Sequence, residues 1–146
     1  MFVINDRADM AELIGAGLHV GQDDLAPADA RALLGPAAFL GYSTHNPDQL
    51  DAAASQPVNY VAIGPVFATA SKHKPDPIIG LDDLKNWRRR CGRPLVAIGG
   101  ITRETAPAVF AAGADSIAVI GDMLPENCTA TNLRLRMEEW QLLAQT

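Results

Sequence analysis

Short apolar runs alternate with helix-length amphipathic segments from one end of this sequence to the other. Phe2 to Ile4, Leu18 to Val20, Ala38 to Gly41, Tyr60 to Ile63, Leu95 to Ile98 and Ser116 to Ile120 each read as a buried strand. A polar or glycine-containing turn follows every run, and then a helical pattern. The helices are expected near Met10 to Ile14, Pro27 to Leu34, Pro47 to Ala54, Leu81 to Arg90, Glu104 to Ala112 and Leu133 to Leu143. Pro27 suits a first helical turn, where its missing N–H costs nothing.

Strict strand–helix alternation implies right-handed crossovers and a parallel sheet. Units of this length match a TIM-type (β/α) barrel, which takes about 250 residues for eight units. A doubly wound sheet is the rival, but no GxGxxG follows the first strand. The expectation is therefore an α/β fold: an incomplete TIM-type barrel with about six of its eight units, spanning residues 1–146 as one partial domain. In such a fold the ligand-binding residues sit at the carboxyl ends of the strands.

The chain has 146 residues, with 48% hydrophobic and 20% charged, which is ordinary globular usage. A net charge of −5 without a basic block gives a nucleic-acid role no support. No apolar stretch reaches membrane-spanning length. The two cysteines, Cys91 and Cys128, lack metal-ligand spacing and fit a reducing, cytoplasmic setting.

The polar residues past the strand ends are the candidate chemistry. Asn5 and Asp6 follow the first strand and Asp24 follows the second. Two carboxylates on adjacent strand ends suit Mg²⁺, which takes one or two protein carboxylates plus phosphate oxygens and water. The plainer alternative makes Asp24 a helix cap and Asp6 a turn residue. Ser43, Thr44 and His45 suit anion binding, general-base catalysis or capping of the next helix. His19, within an apolar strand, reads as a hydrogen-bonded core residue. Thr69, Ser71 and Lys72 offer donors to an anion, and Gly99, Gly100 and Gly121 allow close backbone approach to a phosphate. Trp87 and Trp140 read as packing residues.

Taken in order, these motifs resemble the thiamine-phosphate synthase family and, less closely, the related thiazole tautomerases. The resemblance rests on INDR at 4–7, GLHVGQDDL at 17–25, GYSTH at 41–45, YVAIGPVFATASK at 60–72, PLVAIGGIT at 94–102 and GADSIAVIGDML at 113–124. It implies transfer of an aminopyrimidine methyl group from its pyrophosphate to thiazole phosphate, with Mg²⁺ as cofactor. Asp6 and Asp24 then match the Mg²⁺ ligands, Asn5 a pyrimidine or pyrophosphate contact, and Ser43 and Lys72 the catalytic pyrophosphate donors. Thr69 and Ser71 match the hydroxyl pair on thiazole phosphate, and Gly100, Ile120 and Gly121 match backbone donors to the same group. A tautomerase would instead recruit His45 for proton transfer.

Three departures stand out. Ser71 replaces a threonine, and Gly121 replaces a serine whose hydroxyl is thereby lost. The family's first two strand–helix units, with their Gln-x-Arg-x-Lys motif, have no counterpart in this sequence. The resemblance thus predicts a synthase-like barrel without its N-terminal quarter, a shortened copy of a full enzyme. A non-catalytic phosphate-ligand binder and a homo-oligomer that completes the sheet are the competing expectations.

Overall fold

The computed structural model describes residues 1–71 and 76–143. Six strands alternate with six α-helices: β1 (Val3–Asn5), α1 (Ala8–Ile14), β2 (Gly17–Val20), α2 (Pro27–Leu34), β3 (Leu40–Thr44), α3 (Pro47–Ala53), β4 (Tyr60–Ile63), α4 (Gly80–Arg88), β5 (Leu95–Ile98), α5 (Ala106–Ala111), β6 (Ser116–Ala118) and α6 (Ala130–Leu143). One 3₁₀ turn, Gly121–Met123, lies between β6 and α6. The strands are all parallel and their order in the sheet is their order in the chain. This is the sheet order of a TIM-type barrel, as the alternation predicts.

Period-2 alternation gives the sheet two different faces. Leu18, Val20, Leu40, Val61, Ile63, Leu95 and Ala97 are buried and pack with helix residues such as Ala11, Ala30, Leu50, Leu84 and Val109. The core therefore lies between sheet and helices. The opposite face carries Val3, Asn5, His19, Ser43, Tyr60, Ala62, Val96, Ile98 and Ala118, and all of them line one cavity. Residues from the first strand and the last meet there, so the sheet is curled about its inner face. Trp87 packs against the core and Trp140 is buried, both as packing residues.

Several boundaries differ from the sequence expectation. β3 runs Leu40–Thr44, not Ala38–Gly41, because Ser43 and Thr44 pair with Ala62 and Ile63 of β4. The Thr44 hydroxyl is satisfied by donating to the Ala62 carbonyl at 3.0 Å, which lets a hydroxyl residue stay buried in the strand. β6 ends at Ala118, and Val119 and Ile120, expected in the strand, lead into the 3₁₀ turn. α6 begins at Ala130, where the Thr129 hydroxyl accepts from the Asn132 N–H. α4 stops at Arg88, and α5 is shorter than expected because Thr102 and Thr105 bond to one another's backbone and side chains at its entry.

Candidate functional site

Every loop that follows a strand contributes to the rim of a cavity of about 1150 Å³. Asn5 and Asp6, Gly21 to Asp24, Ser43 and His45, Thr69 and Ser71, Gly100, and Ile120 and Gly121 all line it. Of the eleven residues implied by the resemblance, counting the tautomerase's His45, ten are thus brought together, whereas Thr44 of the motif reading is buried in β3 and does not line the cavity. The eleventh, Lys72, lies outside the described residues.

Asp6 leaves β1 in a left-handed conformation, φ 62°, which aspartate tolerates better than most residues. Its N–H donates to the His19 carbonyl at 2.9 Å, so the turn continues the pairing of β1 with β2. The Asp6 carboxyl is pushed above the usual carboxylate range. Partial desolvation is the largest cause, followed by a side-chain hydrogen bond to Asp24 and by the charge of Asp24. Two acidic groups within hydrogen-bond reach repel unless a proton or a cation lies between them. Asp24 does not cap α2: its Oδ2 accepts from the Gly21 N–H at 2.7 Å, and Ala26 precedes the helix without a side-chain cap. That turn holds the Asp24 carboxylate at the rim, against Asp6.

The donor set fits Mg²⁺. Both groups are hard oxygen ligands whose mutual repulsion a divalent ion would relieve. Among the described residues no cluster of three or more His, Cys, Asp or Glu side chains forms. Water and ligand oxygens would complete the shell, as Mg²⁺ commonly requires.

Ser43 lies within β3 and is buried to 8% exposure. Its Oγ is 2.8 Å from His19 Nε2, and its carbonyl accepts from Gln22 Nε2 at 2.6 Å. The capping role open to Ser43, Thr44 and His45 belongs instead to Asn46, whose side chain accepts from the Gln49 N–H. His45 Nδ1 is 2.6 Å from the Gly64 carbonyl and 3.6 Å from Asp76 Oδ2. A carbonyl only accepts, so Nδ1 carries a proton.

On the far side of the rim, Thr69 Oγ1 accepts from the Ser71 N–H at 3.2 Å, which turns the loop after β4 back on itself. Gly100, at φ 65°, packs beneath that loop: a Cβ there would sit 2.3 Å from the Ala68 carbonyl oxygen. The backbones of the two loops approach this closely only because Gly100 has no side chain.

The family model described as thiamine monophosphate synthase matches residues 1–123. The chain belongs to the thiamine monophosphate synthase family. It is 58% identical over 123 residues to a thiamine-phosphate synthase of Koribacter versatilis, covering 84% of this chain and 58% of that protein. A thiamine-phosphate synthase of Gloeobacter violaceus is 46% identical over 121 residues, covering 82% of this chain and 35% of its own length. Among solved structures, a thiamine phosphate pyrophosphorylase from Pyrococcus furiosus superposes with a TM-score of 0.84 at 29% identity, covering 99% of this chain and 67% of that one. The chain thus spans about a third to three-fifths of the length of these two curated relatives.

Two residues of this family member's cavity stood outside the sequence expectation. His19 is hydrogen-bonded as expected but walls the cavity instead of packing in the core, and Tyr60 reaches it from two strands away. The signal was present in the alternation: Leu18 and Val20 face the helices, so His19 between them must face inward.

Proposed function

We propose that this rim joins an aminopyrimidine methyl pyrophosphate to thiazole phosphate, giving thiamine phosphate and pyrophosphate. The observation that carries the reading is the opposed pair Asp6 and Asp24 facing hydroxyl and glycine loops across one cavity, in a chain of this family. The reaction breaks the bond between the pyrimidine methylene carbon and a pyrophosphate oxygen, which leaves with the electron pair. The thiazole nitrogen supplies its lone pair to the same carbon, and a C–N bond forms. Such a transfer needs charge stabilisation at the leaving group and alignment of the two substrates, with little proton transfer.

Asp6 and Asp24 would hold Mg²⁺, which supplies positive charge to the departing pyrophosphate. Ser43 would donate a hydrogen bond to that leaving group, Lys72 would supply it a positive charge as the resemblance implies, and Asn5 would orient the pyrimidine end. Thr69, Ser71 and the backbone at Gly100, Ile120 and Gly121 hold the thiazole phosphate on the opposite rim. Hydroxyl and amide donors are the groups a phosphate recognises. The test is conversion of the two substrates by the chain with Mg²⁺, followed by detection of thiamine phosphate and pyrophosphate in equal amounts. Turnover that ignores Mg²⁺, or its absence alongside normal folding, would overturn the synthase reading.

One observation favours a second reading. His45 lines the cavity with its Nδ1–H held by the Gly64 carbonyl, so proton exchange by this ring would fall to Nε2. A tautomerase would use that nitrogen for proton transfer on a thiazole phosphate. Isomerisation of the thiazole without coupling to the pyrimidine would select it, and binding without either reaction would mark a non-catalytic binder.

A further inference from the structure

Below the rim, the inner face of the sheet carries a hydrogen-bonded relay that ends on Ser43. His19 of β2, Gly41 of β3 and Tyr60 of β4 lie in one row across three strands, since His19 pairs with Gly41 and Gly41 with Tyr60. Because the middle position has no side chain, the Tyr60 ring lies across it and brings its hydroxyl to 2.9 Å from His19 Nδ1. The other imidazole nitrogen, Nε2, is 2.8 Å from Ser43 Oγ. The relay therefore runs Tyr60 to His19 to Ser43, through both nitrogens of one ring.

A neutral imidazole has one N–H and one bare nitrogen, so the relay has two polarities. In the first, the Tyr60 hydroxyl donates to bare Nδ1, the Nε2–H donates to Ser43 Oγ, and the serine hydrogen is left to the cavity. In the second, every bond reverses: Ser43 spends its hydrogen on Nε2, and the Tyr60 hydrogen is left over. Phenol is the stronger acid and imidazole nitrogen the stronger base, which favours donation from Tyr60 to His19. Burial pushes the Tyr60 phenol upward, so it keeps its proton. The first polarity also leaves the spare hydrogen on Ser43 Oγ, where an anionic ligand can take it, while the second leaves it on Tyr60, whose ring is stacked on Phe39 and His19. Among the described residues Ser43 Oγ has no other hydrogen-bond partner, so the relay alone sets its direction.

We propose that Tyr60 and His19 are positioning residues that set the hydrogen-bond polarity of Ser43, turning its hydroxyl hydrogen into the cavity as a donor to an anionic phosphate oxygen. The inference rests on the reading of Ser43 as a pyrophosphate donor. It assigns Tyr60 a task that acts through the tautomer of His19. A reversed relay would present serine lone pairs to the same anion and repel it.

The tautomer can be read directly in the ligand-free chain by two-bond ¹H–¹⁵N correlation NMR, with the His19 ring assigned from its loss in His19→Gln. The expected state is bare Nδ1 and protonated Nε2; a protonated Nδ1 with bare Nε2 overturns the proposal. The second measurement is affinity for inorganic pyrophosphate with Mg²⁺ in wild type, Tyr60→Phe, Ser43→Ala and the double variant. Phenylalanine keeps the ring stacked and removes only the hydroxyl. Tyr60→Phe should weaken binding ~3- to 10-fold, the scale of one lost hydrogen bond, and should mix the His19 tautomers. In the Ser43→Ala background the same change should cost nothing further. Unchanged affinity in Tyr60→Phe, or losses that add in the double variant, would assign Tyr60 a packing role only. A wild-type chain that binds no pyrophosphate overturns the functional reading of Ser43, whereas the tautomer decides the polarity without any ligand.

Discussion

The Tyr60 hydroxyl reaches His19 Nδ1 at 2.9 Å across an intervening strand, and Gly41 is the residue that lets it pass. A Cβ on Gly41 would meet Tyr60 Cζ at 2.0 Å. Gly41 therefore shapes the cavity wall by virtue of what it lacks, since the Tyr60 ring occupies the space of its missing side chain. Its neighbours on either side, Leu40 and Tyr42, face the helices, so this one position sets the shape of the inner face.

Gly41→Ala should displace the Tyr60 ring and break its contact with His19, at a cost of about 1 to 3 kcal/mol, as for other overpacked sites. Pairing it with Tyr60→Val, which frees the space, should recover much of that loss. Chemical denaturation of the two single variants and the double variant measures the coupling. Strictly additive losses would mean that the ring and the strand backbone do not share this space.

Burial holds the His19 imidazole below its ordinary 6.5, against a smaller opposing pull from Asp24. The unfolded chain then takes up the proton before the folded chain does. The neutral ring's contribution to stability is full above about pH 6.5 and is lost as the pH falls through that value toward the lower folded pKa. His19→Gln should flatten this part of the profile. Urea midpoints between pH 7.5 and 5 compare the two proteins, and identical slopes would refute the assignment.

Asp24→Ala removes one of the opposed carboxylates and frees the Gly21 N–H it accepts from. Mg²⁺-dependent pyrophosphate binding should fall at least ~10-fold, while stability without Mg²⁺ changes little because a repulsion is lost along with a hydrogen bond. Calorimetric titration with and without Mg²⁺ makes the comparison. Wild-type affinity in the variant would remove Asp24 from the metal site.

Opposite the rim, at the amino-terminal ends of the strands, Arg31 of α2 ties two loops together. Its guanidinium donates to the carbonyls of Gly35, Pro36, Ala38 and Pro57 and to the Asn59 side chain. Lysine cannot reproduce that planar fork. Arg31→Lys is therefore expected to lose about 1 to 3 kcal/mol, close to the loss in Arg31→Met. The rim lies at the other end of the strands, so phosphate-ligand affinity should be unchanged in both; thermal melts with and without pyrophosphate separate the two effects.

Much of this molecule was legible before any coordinates. Alternating apolar runs and helical segments specify a parallel α/β sheet because each strand must bury one face under the helix that follows it, and the structure shows that order without exception. The rim residues were legible for the same reason: a parallel strand ends where its ligand-binding loop begins, so polar residues after apolar runs collect on one edge. Strand ends were less so. Ser43 and Thr44 look like turn residues in isolation, and only pairing with Ala62 and Ile63 draws them into β3.

What the sequence alone determined is the kind of groups that line the cavity, since composition and order choose hydroxyls, carboxylates and glycines at the strand ends. What only the tertiary structure decided is how those groups meet. The opposition of Asp6 and Asp24 and the relay from Tyr60 through His19 to Ser43 join residues up to 41 positions apart. Strand register and sheet curl set those distances, and both arise from packing between strands, which no local pattern in the chain encodes.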